Sequence, residues 1–141
     1  MNKNINDEIK ELIKTNEVCL FMKGTPEVPQ CGFSMAVSNV LKHLKVNFVG
    51  INVLEKNEIR EGIEQFSDWP TIPQLYIKGE FIGGCDIVKE MFEKGDLQKK
   101  LTEKKIEYKI TNKDLYGDFK KISFLKIVKK YLSKKLRSFI K

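Results

Sequence analysis

Ile5, Ile9, Leu12 and Ile13 recur at i, i+4, i+7 and i+8, the spacing that lines up apolar side chains on one face of a helix. Residues 18–22 (VCLFM) form a continuous apolar run that stops at Lys23-Gly24, which predicts a short strand buried on both faces. Residues 25–30 contain Pro26 and Pro29 and predict a loop. From about Gly32 the helical spacing returns in Met35, Val37, Val40, Leu41 and Leu44. Residues 47–53 (NFVGINV) read as a second strand. Residues 55–66 read as a charged helix that turns Ile59, Ile63 and Phe66 inward. Residues 74–77 and 80–82 flank Lys78-Gly79, the pattern of two short strands in a tight hairpin. Asp86 stands where a helix N-cap belongs, ahead of Ile87, Val88, Met91 and Phe92, and Gly95 is placed to end that helix.

The predicted order is α-β-α-β-α-β-β-α. A βαβ unit followed by a hairpin and a helix gives an α/β fold, a four-stranded mixed sheet with helices on both faces. This core is expected to end near Leu101. A chain of 141 residues suits one compact domain, and no apolar run is long enough to predict a transmembrane helix. Asp7, Glu8 and Glu11 near the start argue against a signal or transit peptide. Three cysteines do not make a disulfide framework, so a reducing, cytoplasmic compartment is expected.

Charge divides the chain. The net charge is +7, but residues 1–101 hold 13 Lys+Arg against 15 Asp+Glu, whereas residues 102–141 hold 13 against 4. The basicity therefore belongs to the last forty residues. Over residues 120–141, Phe124, Leu125, Val128, Tyr131, Leu132, Leu136 and Phe139 share one helical side, and lysines occupy much of the rest. This predicts a Lys-rich, amphipathic helical extension suited to an anionic membrane surface, an acidic protein or RNA. Two blander readings stand beside it, a helix packed on its own domain and a tail with no selected role. Lys outnumbers Arg 24 to 2, which points to a compositional bias and weakens the charge as a sign of a partner.

The chemistry centres on Cys31, which follows the proline loop and immediately precedes a helix in the run PQCGFS. A thiol there faces unpaired backbone N–H groups and the positive end of the helix dipole, and both favour the thiolate. Lys23 could add a cation. The motif is Cys-x-x-Ser, with Ser34 where a dithiol redox motif has its second cysteine. A serine hydroxyl cannot attack a mixed disulfide. Cys31 is then released by another thiol, or it serves as a metal ligand, including to an Fe–S cluster. Cys19, inside an apolar run, is expected in the core, Trp69 as a packing residue, and His43 as an exposed residue without a role. No zinc-spaced cluster, phosphate loop or Ser/His/Asp constellation is apparent.

The runs MKGTP (residues 22–26), PQCGFS (29–34), WPTIPQL (69–75) and GGCD (83–86) together resemble the monothiol, CGFS-type glutaredoxins over residues 1–101. The resemblance implies a thioredoxin-like fold, glutathione binding and a [2Fe–2S] cluster bridging a homodimer. Each protomer would supply Cys31 and one glutathione thiolate, completing four sulfur ligands. It also implies a cis proline at Pro73 that frees the Ile72 backbone to pair with glutathione. Lys23 and Arg60 would meet the glycine carboxylate, Gly84, Cys85 and Asp86 the other end of the tripeptide, and Phe33 would also contact glutathione. Cys85 touches glutathione or forms a disulfide with Cys31; both readings stay open. The function implied is cluster binding and transfer in iron–sulfur assembly and iron/redox homeostasis, with a BolA-like protein, a scaffold and apo-proteins as partners. The rivals are a glutathione-linked oxidoreductase that deglutathionylates proteins, and an adaptor driven by the tail. Ser34 and the length of the loop at 25–30 favour the carrier.

Overall fold

The apolar run at residues 18–22 becomes the strand around which everything else is arranged. The computed structural model describes residues 4–110. In it, β1 (Val18–Met22) is buried at every position. β2 (Val49–Asn52) lies parallel to β1 on one side, with Cys19 opposite Val49 and Met22 opposite Asn52. β3 (Gln74–Ile77) lies antiparallel on the other, with Leu20 opposite Leu75. β4 (Glu80–Gly83) pairs with β3, so the sheet order is β2-β1-β3-β4.

Alternate side chains of a strand leave opposite faces, and β1 feeds two cores in this way. Val18, Leu20 and Met22 join Val37, Val40 and Leu41 from α2 (Gly32–His43), Val88 and Phe92 from α4 (Cys85–Lys94), and Leu97 and Leu101 from α5 (Asp96–Glu103). Cys19 and Phe21 join Ile9 and Ile13 from α1 (Ile5–Thr15) and Ile59 and Ile63 from α3 (Asn57–Ser67). The result is the mixed sheet with helices on both faces that the hydrophobic pattern predicts, in a thioredoxin-like arrangement. At the β3–β4 turn Lys78 and Gly79 both have positive φ, 46° and 81°, as a two-residue type I′ hairpin requires. Among the described residues no helix is long and apolar enough to cross a membrane.

The structure corrects several local expectations. The second strand is shorter than residues 47–53. Phe66 is 38% exposed rather than inward: the buried stripe of α3 is Ile59, Gly62 and Ile63, and Phe66, in the last turn, lies tilted against Tyr76 at 6.4 Å and lines an open cleft. Asp86 is not the N-cap of its helix: extended Gly84 takes that position and Asp86 falls in the first turn, where a carboxylate still complements the dipole. His43 is half-buried rather than exposed, edge-on to Phe92 at 6.1 Å. Gly95 (φ 81°) ends α4 as expected, but it is also the corner into α5. Helix α5 escaped the sequence reading because its buried stripe amounts to Leu97, Gln98 and Leu101. Packing then continues past Leu101: Ile106 joins the core, and the Lys109 N–H donates to the Leu44 carbonyl at 2.7 Å. The basic helix expected over residues 120–141 lies outside the described residues.

Candidate functional site

The loop before Cys31 is closed on itself and pinned to its neighbours. Gly24, at φ +89°, turns the chain out of β1. The Gln30 N–H then donates to the Lys23 carbonyl (2.9 Å), the Thr25 N–H to the Val28 carbonyl (3.1 Å), and the Val28 N–H to Thr25 Oγ1 (2.9 Å). Asn52, at the end of β2, accepts from the N–H groups of both Gly24 (2.9 Å) and Leu54 (3.0 Å). The Lys42 ammonium donates to the Pro26 carbonyl. The Pro26 ring lies so close to Gly50 that a Cβ there would fall 2.6 Å from it.

This scaffold delivers Cys31 to the N-cap position of α2 with extended backbone (φ −151°, ψ 135°) and no side-chain capping bond. Its thiol is partly exposed, and the first-turn N–H groups of α2 have no intrahelical partner by construction. Ser34, one turn on, is fully buried, and its Oγ accepts from the Lys23 N–H at 3.1 Å. The serine at the second-cysteine position therefore belongs to the fold.

The facing wall is built by residues 69–73. Asp68 ends α3 in the left-handed region (φ 53°), and the Trp69 N–H returns to the Glu64 carbonyl at 3.1 Å. The Ile72–Pro73 peptide is cis, as the resemblance implies. Behind it, fully buried Gln74 donates from Nε2 to the carbonyls of Trp69 (3.0 Å) and Thr71 (3.2 Å) and accepts at Oε1 from the Tyr76 hydroxyl (3.3 Å). The third wall begins at Gly83, whose φ is +151° and where a Cβ would fall 2.6 Å from Ile87 Cβ, leaving no room for a side chain. Helix α4 then starts at Cys85.

Between these walls lies a cavity of about 490 Å³. Lys23, Cys31, Phe33, Arg60, Ile72, Pro73, Gly84, Cys85 and Asp86 all line it, so every residue nominated from the sequence comes to one place. Trp69 lines it too, beyond its packing on Phe81 at 5.8 Å. Glu64 was missed; its i, i+4 spacing from Arg60 was the available signal. A cleft of about 580 Å³ between Lys10, Lys14 and Lys78 at the far end of the sheet holds no thiol.

The three thiols differ by environment. Burial pushes Cys19, inside the sheet, up to about 12, as its core assignment predicts. Burial first, and the charge of Asp86 next, push Cys85 up to about 11. Cys85 also feels Cys31 electrostatically, as expected of two sulfurs that line one cavity. Among the described residues no group of three or more His, Cys, Asp or Glu side chains could hold a metal ion. The chemistry available is two part-exposed thiols, Cys31 at the N-cap of α2 and Cys85 in the first turn of α4 with its thiol held protonated, and two cations with two carboxylates around them.

This geometry has relatives. The glutaredoxin family model matches residues 18–82. The probable monothiol glutaredoxin 2 of Rickettsia typhi is 55% identical over 102 residues, covering 72% of this chain and 91% of that protein. The solution structure of a monomeric truncated mutant of Trypanosoma brucei 1-C-Grx1 superposes with a TM-score of 0.70 at 40% identity, covering 78% of this chain and all of that one. A buckwheat glutaredoxin–glutathione complex superposes at 0.64 with 26% identity, covering 72% and 90%. By sequence and fold, the chain belongs to the monothiol glutaredoxins.

Proposed function

We propose that the protein binds glutathione and carries [2Fe–2S] clusters to apo-proteins, within iron–sulfur assembly and iron/redox homeostasis. The observation that supports this most is the serine at the second position of the Cys31 motif. Cys31 lines the cavity, while Ser34 is buried and its Oγ accepts from the Lys23 N–H. An active site without a resolving thiol in its motif favours ligation over turnover by disulfide exchange. The donor set fits a shared cargo. One chain offers Cys31, and a [2Fe–2S] centre takes four sulfur ligands, so two copies and two glutathione thiolates complete it.

Glutathione fits the cavity by charge and by backbone. Lys23 and Arg60 suit a carboxylate, the cis Pro73 wall presents the Ile72 backbone, and Asp86 stands in the first turn of α4, whose N–H groups suit a second carboxylate. The partners in this reading are a second copy of the chain, a BolA-like protein, a cluster scaffold and acceptor apo-proteins. Three free cysteines suit a reducing cytoplasm. For the segment after Ile110 the readings are an anionic partner (membrane surface, acidic protein or RNA), packing on its own domain, or no selected role.

Anaerobic reconstitution with iron, sulfide and glutathione tests the reading. The expected product is a coloured dimer by visible absorption and mass. A colourless monomer that rapidly reduces glutathionylated substrate would replace it with the oxidoreductase alternative, which Cys85 supports as a second thiol in the same cavity. Vesicle and RNA binding by the full chain, compared with a chain ending at Ile110, tests the tail.

A further inference from the structure

Arg60 and Glu64 stand one turn apart on α3, and both line the cavity that holds Cys31. Arg60 Nε and Glu64 Oε1 are 4.0 Å apart, with side chains 41% and 30% exposed. That separation is too long for a hydrogen bond but well within Coulombic reach in partly screened surroundings. Glu64 thus does not lock the guanidinium in one orientation. What it contributes is charge. Lys23 and Arg60 are balanced by Glu64 and Asp86, so the ionisable side chains of the walls, thiols apart, sum to zero. Without Glu64 they would sum to +1. Glu64 also borders an adjoining groove that includes Glu61 and Asp68, so the field on its outer side is negative as well.

A carboxylate drawn to Arg60 must approach Glu64, because both charges sit on the same stretch of helix. We propose that Glu64 is a specificity-determining residue of the thiol cavity: its carboxylate offsets Arg60, loosening anionic thiol ligands enough for exchange and discriminating against more highly anionic ones. The inference rests on the cavity being a glutathione site, and it assigns how that site sets affinity and charge preference. A carrier needs both, since a glutathione that contributes to holding cargo must leave when cargo is passed on.

The test compares the full-length protein with Glu64→Gln and with Glu61→Gln, a control on the same helix that borders only the outer groove. Two readouts are taken. The first is the dissociation constant for reduced glutathione at low and high salt. Glu64→Gln is expected to tighten binding about three- to tenfold at low salt, with the gain shrinking at high salt, while Glu61→Gln changes it less than twofold. The second needs no glutathione: the rate at which iodoacetate alkylates Cys31, divided by the rate for neutral iodoacetamide, read at Cys31 by mass spectrometry. That ratio is expected to rise severalfold in Glu64→Gln. Unchanged values in both readouts overturn the inference. So does weaker glutathione binding, which would make Glu64 a positioning partner for Arg60. If the wild type binds no glutathione but the alkylation ratio rises, the ligand reading falls and the charge role of Glu64 stands.

Discussion

The backbone N–H of Lys23 donates to Ser34 Oγ at 3.1 Å, joining the end of β1 to the first turn of α2 beneath the active-site loop. The two residues bracket Cys31 in sequence, and the bond fixes both ends of the segment that presents it. Ser34 is fully buried and the bond is part-buried, so losing the hydroxyl leaves the Lys23 N–H without this acceptor. Ser34→Ala is expected to cost about 1–3 kcal/mol, the range for stranding a buried donor, measured by urea denaturation. Native-state alkylation of Cys31 should change rate in the same variant, because its loop is released at one end.

Gln74 plays the corresponding part on the facing wall. Its amide nitrogen holds two carbonyls of residues 69–71 while its oxygen takes the Tyr76 hydroxyl. Gln74→Leu keeps the volume roughly but removes the donor to both carbonyls and one of the hydrogen-bond partners of the Tyr76 hydroxyl, which also meets Ser67. It should lose about 2 kcal/mol or more of stability and weaken glutathione binding at least fivefold, read by calorimetry. Unaltered affinity in a folded variant would show that the wall does not depend on this network.

The acid–base behaviour of the buried groups has a definite sign. Cys19 and Tyr76 are held up to about 12 and Cys85 to about 11, each chiefly by burial. A raised value means that the fold prefers the neutral form, so the unfolded chain releases these protons first. Stability is then complete below about pH 9 and falls as pH rises toward 11–12. Cys19 alone should remove about 1.4 kcal/mol per pH unit above 9. Denaturation under reducing conditions at pH 8, 9, 10 and 11 checks this, and Cys19→Val should flatten the decline.

Gly83 carries a steric requirement. At φ +151° it sits where a Cβ would lie 2.6 Å from Ile87 Cβ, a side chain that also lines the cavity. Gly83→Ala is expected to destabilise by about 1–3 kcal/mol. It should also shift backbone resonances of Gly84, Cys85 and Asp86, which two-dimensional NMR would detect. An unperturbed spectrum would mean that α4 yields without disturbing the cavity.

Much of this protein was legible in short-range patterns. The apolar run 18–22 is the central strand, the stripe Ile5, Ile9, Leu12, Ile13 is a helix, and Lys78-Gly79 is a hairpin turn, because strand alternation, helical spacing and turn chemistry act over a few residues. Where those signals thinned, the reading thinned with them. Helix α5 shows a buried stripe of only Leu97, Gln98 and Leu101. Phe66 shares the helical spacing of Ile59 and Ile63, yet in the last turn of α3 it is left 38% exposed while they are buried.

The nine cavity residues were named from motifs and their family resemblance, since no periodicity brings Lys23, Arg60, Pro73 and Cys85 together. By itself the sequence determined the strands, most of the helices and the two-sided core, and it singled out Cys31 as the candidate thiol. Tertiary structure decided what stands beside what: Ser34 under Lys23, Gln74 behind the Trp69 wall, Cys85 in the cavity of Cys31, and the carboxylate of Glu64 against the guanidinium of Arg60. The physical reason is range. Secondary structure answers to neighbours along the chain, whereas burial, stranded hydrogen-bond donors and local charge balance are properties of a place that only the folded chain creates.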